Sequence, residues 1–171
     1  MDTDYVEIAI VLDRSGSMSI IAPEVQTGLQ RFLDTKKSLP GKCLLTLVQF
    51  DDPQNVETVY EGKSIIDIYS IPLVPRGGTA LLDAIGKTIT LLGERLSAME
   101  ITERPSKVIF VVVTDGEENS SKEFKRDQVF AMISHQREAY SWEFVFLAAN
   151  QDAIQTGQSL GFLPRSSMTF A

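Results

Sequence analysis

Residues 108–113 read Val-Ile-Phe-Val-Val-Val, six apolar side chains in succession. A strand with one face in water alternates polar and apolar residues; one with no alternation is covered on both faces, as in a parallel sheet flanked by helices. Parallel neighbours need long crossover connections, usually helical. The rest of the sequence supplies them. Residues 5–12 form a second run rich in β-branched residues, and residues 42–50 and 142–148 are further apolar runs. Between them, Pro23 suits the first turn of a helix whose Val25, Leu29, Phe32 and Leu33 share a face, ended by Leu39-Pro40-Gly41. Leu82, Ile85, Ile89, Leu92 and Leu96 recur every three or four residues, the core stripe of a long helix. Ser120 and Glu123 have the spacing of a capping box, which predicts a helix from there to about residue 140.

The smaller elements follow the same rhythm. Asp51-Asp52-Pro53-Gln54-Asn55 predicts a turn, and residues 56–60 a short returning strand, antiparallel and at an edge. Residues 64–75 read as extended or irregular. Residues 152–160 predict a short helix and residues 167–170 a last short strand. The expected fold is α/β: a doubly wound, Rossmann-like, mostly parallel six-stranded sheet in the order 3-2-1-4-5-6. Strand 3 is antiparallel at an edge, and helices cover both faces. A chain of 171 residues suits a single domain over 1–171.

Both central strands run into an aspartate. Asp13-Arg14-Ser15-Gly16-Ser17 follows the first, with Gly16 expected to let the backbone turn between the serines. Thr114-Asp115-Gly116-Glu117-Glu118-Asn119 closes residues 107–114. In open α/β sheets, ligands bind outside the carboxyl ends of the strands, where the winding reverses. Thr79, in the glycine-rich loop Arg76-Gly77-Gly78-Thr79, reaches the same crevice from the side. The three segments offer carboxylates and hydroxyls, with no imidazole and no thiolate. Such donors suit Mg²⁺, Mn²⁺ or Ca²⁺ rather than zinc or copper.

These residues resemble the metal-ion-dependent adhesion site of von Willebrand factor A domains. The resemblance rests on Asp13-Arg14-Ser15-Gly16-Ser17, on Thr79 within Gly77-Gly78-Thr79-Ala80-Leu81-Leu82-Asp83-Ala84, and on Thr114-Asp115-Gly116, in that order. Residues 142–161 also resemble bacterial and phage-encoded members of the group. The resemblance implies that Ser15 and Ser17 bind the metal through their hydroxyls. Asp13 and Asp115 would hold it largely through waters and through hydrogen bonds to the serines, with Thr79 a direct or water-mediated ligand. It implies a protein-interaction module, not an enzyme, in which Mg²⁺ captures an Asp or Glu from a protein partner. AAA+ ATPases and phage or stress-response proteins are partners by analogy. The family usually has a final helix after its sixth strand. Here the sequence stops at Ala171, just past the candidate strand, so either a trimmed sequence or a shortened member of the group is expected.

Composition narrows the classes. A net charge of −7 and a pI near 4.7 argue against a nucleic-acid surface. No apolar stretch is long enough to span a membrane, and Met1-Asp2-Thr3-Asp4 lacks signal-peptide character, so the cytoplasm is the expected location. Cys43 is the single cysteine, which excludes an internal disulfide, and it reads as a core-edge residue. The runner-up function is a Mg²⁺-dependent phosphohydrolase with Asp13 as nucleophile. It would want a second carboxylate two residues on, where Ser15 stands, and a cationic clamp, for which Arg14 and Arg76 are the nearby candidates. Several residues also have plainer readings. Thr79 fits a helix N-cap, Asp83 a complement to its helix's positive end, and Glu117, Glu118 and Asn119 a solvated loop. Asp51 and Asp52 fit turn formers, and His135 has no Ser or Cys motif to make it a catalytic base.

Overall fold

The computed structural model describes residues 5–115, 118–148 and 151–169. Six strands form one sheet: β1 (Tyr5–Asp13), β2 (Lys42–Phe50), β3 (Val56–Ser64), β4 (Lys107–Thr114), β5 (Glu143–Ala148) and β6 (Ser167–Thr169). Four helices connect them: α1 (Ala22–Lys37), α2 (Leu81–Ser97), α3 (Arg126–Tyr140) and α4 (Gln151–Ser159). The spatial order is β3-β2-β1-β4-β5-β6, with every neighbouring pair parallel except β2 and β3. This is the order read from the sequence, with the antiparallel strand at the predicted edge. β3 runs four residues beyond its predicted end at Tyr60, reaching Ser64 across an irregular register against β2.

The two faces are packed unequally. α1 covers one, where Val25, Leu29 and Leu33 pack on Ile8, Ile10, Leu12, Leu45 and Leu47, joined by Ile65, Ile68, Ile71 and Leu73 from the irregular segment. α2, α3 and α4 cover the other, where the Leu82 to Leu96 stripe meets Ala9, Val11, Phe110 and Val112. β1 and β4 lie in the middle of the sheet, so nearly all their side chains are buried. That placement explains the missing alternation at residues 108–113.

One helix start differs from expectation. α3 begins at Arg126, not near Ser120, and Lys125 is its N-cap, with the Gln128 side chain accepting from the Lys125 N–H at 3.4 Å. The N–H groups of Lys122, Glu123 and Phe124 point instead at the carboxylate of Asp83, at 2.8–2.9 Å. A helix with Ser120 as its N-cap would direct the Phe124 N–H to the Ser120 carbonyl instead of to Asp83.

Candidate metal centre

β1 and β4 are adjacent and in parallel register, with Leu12 beside Val113. Their following loops therefore emerge side by side at the carboxyl edge of the sheet. Asp13 is fully buried. One of its oxygens accepts the Ser15 N–H at 2.7 Å, and the other accepts the Thr114 hydroxyl at 2.7 Å. The Ser15 and Ser17 hydroxyls lie 3.1 Å apart, and the Ser17 hydroxyl donates to Asp115. A continuous set of contacts thus runs from Asp13 through Ser15 and Ser17 to Asp115.

The third segment arrives through backbone hydrogen bonds. Gly16 N–H donates to Gly77 O at 3.0 Å, and Arg76 N–H to Arg14 O at 2.6 Å. Thr79 is buried. Its N–H donates to Asn119 Oδ1 at 2.9 Å, and its carbonyl accepts the N–H of Asn119 at 3.0 Å. The Thr79 loop is therefore tied to the loops on both sides of it. Gly77, not Gly16, carries the demanding conformation here. Its φ is +72°, and an added Cβ would lie 2.9 Å from Asp52. Gly16 keeps an ordinary φ, and a Cβ there would meet only Gly77 O at 3.6 Å. The turn expected between the serines does form: the Met18 N–H donates to Ser15 O at 3.0 Å at the start of a short 3₁₀ helix, Gly16–Ile20, and Gly16 makes it without a positive φ.

Charge is distributed unevenly around these loops. Burial pushes the Asp13 carboxyl up to about 6, against the hydrogen bonds from Ser15 and Thr114 and with a further push from the charge on Asp115. Among the described residues no Lys or Arg forms an ion pair with Asp13. Its sequence neighbour Arg14 points elsewhere, to Asp51 and Glu57, both at 2.8 Å. Burial opposes charge on Asp51 as well. Yet the Asp52 N–H, the Asn55 amide and the guanidinium groups of Arg14 and Arg76 hold its carboxyl below the usual range.

This donor set fits a hard divalent cation. Two carboxylates and hydroxyl oxygens converge, and one carboxylate is buried beside another negative charge with no counter-ion among the described residues. Asp13, Ser15, Ser17, Thr79 and Asp115 are the residues that would hold it. Among the described residues no group of three or more His, Cys, Asp or Glu is placed to hold a metal. A site built on hydroxyls with only two carboxylates does not produce such a group.

Several plainer readings change with the structure. Asp51 and Asp52 do more than form a turn: Asp51 anchors Arg14, and Asp52 accepts the Gly78 N–H at 3.1 Å. Thr79 is not the N-cap of α2; that position is Ala80, which offers no capping side chain. Glu118 is not a solvated rim. Its carboxylate accepts the Leu82 N–H at 3.0 Å and the Ser121 N–H at 3.1 Å, supplying the cap the helix start lacks. Gly116 and Glu117, the first four residues and the Phe170 end of the last strand lie outside the described residues. His135 borders a recess of about 580 Å³ at the opposite, amino end of β4, near Ser97 and Ser106. Both serine hydroxyls donate to backbone carbonyls, at 3.1 and 2.8 Å, so neither is activated by the imidazole.

No protein-family model matches the sequence, and no curated protein matches it. Solved structures do match in fold. The chain superposes on the pilus adhesin SpaC from Lactobacillus rhamnosus GG, in its open conformation, with a TM-score of 0.71 and 17% identity, over 99% of this chain and 28% of that one. Against proximal thread matrix protein 1 from the mussel byssus the TM-score is 0.61 at 16% identity, over 96% and 41% of the two chains. Against a von Willebrand factor type A structure from Catenulispora acidiphila it is 0.57 at 16% identity, over 94% and 38%. The chain thus spans less than half the length of each of these three proteins. Among the described residues no helix is long and apolar enough to cross a membrane. At these identities the likeness is one of architecture: the chain has the α/β, Rossmann-like fold of von Willebrand factor A domains.

Proposed function

We propose that this chain is a divalent-metal-dependent protein-interaction module that captures an Asp or Glu side chain of a partner. Its metal residues are Asp13, Ser15, Ser17, Thr79 and Asp115, with Mg²⁺ as the ion and Mn²⁺ or Ca²⁺ as substitutes. The observation that carries this reading is the contact path from Asp13 through Ser15 and Ser17 to Asp115, at a point where no Lys or Arg among the described residues pairs with Asp13. When bound, the ion supplies a Lewis-acidic position that an incoming carboxylate completes. The chain's part is to place oxygens. Ser15 N–H and Thr114 Oγ1 fix both oxygens of Asp13. Ser15 and Ser17 present neutral hydroxyls, which leave much of a divalent charge uncancelled and available to an acidic partner.

The partner is a protein with an exposed acidic side chain. An AAA+ ATPase or a phage or stress-response protein in the cytoplasm is one setting. Adhesion, the role named for the SpaC neighbour, would use the same chemistry at a surface. A phosphohydrolase is disfavoured on two grounds. Both oxygens of Asp13 already accept hydrogen bonds, and the two candidate clamps are directed elsewhere, Arg14 to Asp51 and Glu57 and Arg76 to Asp51. The test is affinity capture from extract in Mg²⁺ and in EDTA. Partner binding is expected to vanish with chelator and return with Mg²⁺ or Mn²⁺. A partner retained equally well in EDTA would refute the reading.

A further inference from the structure

Asp83, the third residue of α2, is completely buried, yet among the described residues no Lys or Arg forms an ion pair with it. Its carboxylate instead accepts three successive backbone N–H groups: Lys122 at 2.8 Å, Glu123 at 2.9 Å and Phe124 at 2.9 Å. Consecutive N–H groups directed at one point form a small concave anion site. Here a side chain of the same protein fills it. The loop that follows Asp115 returns the contact. Glu118 accepts the Leu82 N–H, the Ser121 hydroxyl accepts the Asp83 N–H at 2.9 Å, and Asn119 Oδ1 accepts the Thr79 N–H. One turn further along α2, the Phe124 ring sits where Gly86 has no side chain. A Cβ at Gly86 would lie 2.4 Å from that ring.

This fastening joins two of the three metal-site segments. Residues 79–83 carry Thr79 at one end and Asp83 at the other. Residues 118–124 begin three residues after Asp115. We propose that Asp83, assisted by Glu118, is a positioning residue for the metal site, setting the Thr79 segment and the Asp115 loop at one fixed separation before any ion arrives. This inference rests on the metal reading above. It assigns Asp83 no contact with the ion. The charge on Asp83 matters because, among the described residues, it is matched by backbone N–H donors and by no cation. An asparagine offers one oxygen and turns a competing N–H donor toward the remaining backbone donors.

The experiment titrates Mn²⁺ alone, read by electron paramagnetic resonance, into wild type, Asp83→Asn, Glu118→Ala and Arg95→Ala. Arg95 lies at the far end of α2 and serves as a control for general loosening of that helix. Asp83→Asn is expected to bind Mn²⁺ roughly 10- to 100-fold more weakly, the range seen when groups that orient ligands are lost. Glu118→Ala should weaken binding in the same direction, and Arg95→Ala should not. Hydrogen exchange at the N–H groups of Lys122, Glu123 and Phe124 should accelerate in Asp83→Asn. Should Asp83→Asn fail to fold, Glu118→Ala decides, because Glu118 is only half-buried. Wild-type Mn²⁺ affinity in the folded variants overturns the inference, and so does an equal loss in Arg95→Ala. A wild type that takes up no Mn²⁺ is a different result: it removes the metal reading itself, and this inference with it.

Discussion

β1 buries a carboxylate near each end, and the chain treats the two differently. Glu7, near the amino end, is fully buried and is met by Arg95 at 2.7 Å and by the Thr46 hydroxyl at 3.0 Å. Asp13, at the carboxyl end, is equally buried and receives an N–H and a hydroxyl, with the charge of Asp115 close by. The same strand thus holds a carboxylate with its own counter-ion and a carboxylate that has none among the described residues. The first needs nothing from outside the chain. The second is the one that, in the proposed reading, an external cation would meet. Proximity in sequence does not produce the difference. Arg14 is adjacent to Asp13, but neighbouring residues in extended backbone point to opposite sides, and Arg14 is committed to Asp51 and Glu57.

The comparison breaks most visibly if the counter-ion at the amino end is removed. Arg95→Ala leaves Glu7 buried and unpaired. Losing one partner of a buried pair costs 3–5 kcal/mol, and Arg95 keeps some solvent contact, so about 3 kcal/mol is expected. Urea unfolding should show this loss equally in EDTA and in Mg²⁺. A combined Glu7→Met and Arg95→Met variant should regain most of it. If the loss depended on Mg²⁺, the two ends would not be independent.

At the carboxyl end, in the proposed reading, an external cation would take the place that Arg95 has at the other. Mg²⁺ at a hundredfold excess over Kd should stabilise the wild type by roughly 2.7 kcal/mol. For a domain of this size that is a rise in melting temperature of about 5–10 °C. Asp115→Ala removes a charge that repels Asp13, so its stability in EDTA should match or slightly exceed wild type. Its Mg²⁺-dependent rise should largely disappear. A full Mg²⁺ shift in Asp115→Ala would exclude Asp115 from the site.

The smallest effect sharpens the contrast through pH. The Asp13 carboxyl titrates near 6 in the folded chain, against an ordinary value of 3.8. The folded state therefore binds its proton more tightly than the unfolded state, and stability from this group is lost as pH rises from about 4 to 6. Asp51 acts in the opposite sense. Its carboxyl is held below the usual range, so its contribution is present above 3.8 and lost only as pH falls below that. In EDTA the protein should thus lose stability between pH 4 and 6 through Asp13. Protons compete with the ion there, so the Mg²⁺ shift should be largest above pH 6 and shrink below it. Melting curves at pH 5 and 7.5, with and without chelator, check this. Equal Mg²⁺ shifts at both values would show that Asp13 does not take part.

The strand order was legible because burial leaves a mark in every residue of a strand. The uniform run at 108–113 requires cover on both faces, and the helical stripes at 25–33 and 82–96 supply it. The boundary at Ser120 was not legible in the same way. Its capping-box spacing is local, and it was overruled by Asp83, roughly forty residues away in sequence. Glu118 was misread for the same reason, since nothing local to it announces the bare N-terminus of α2.

The sequence by itself determined the alternation of strands and helices and singled out Asp13, Ser15, Ser17, Thr79 and Asp115 as the candidate oxygen donors. Those follow from residue type and spacing, which every segment carries within itself. Only the tertiary structure decided which charges meet. It gave Arg95 to Glu7 and Arg14 to Asp51, fastened the Asp115 loop to Asp83, and gave Asp13 no internal cation among the described residues. The reason is physical. A carboxylate's partner is set by distance and burial in the folded chain, and residues far apart in sequence become neighbours only when the sheet has formed.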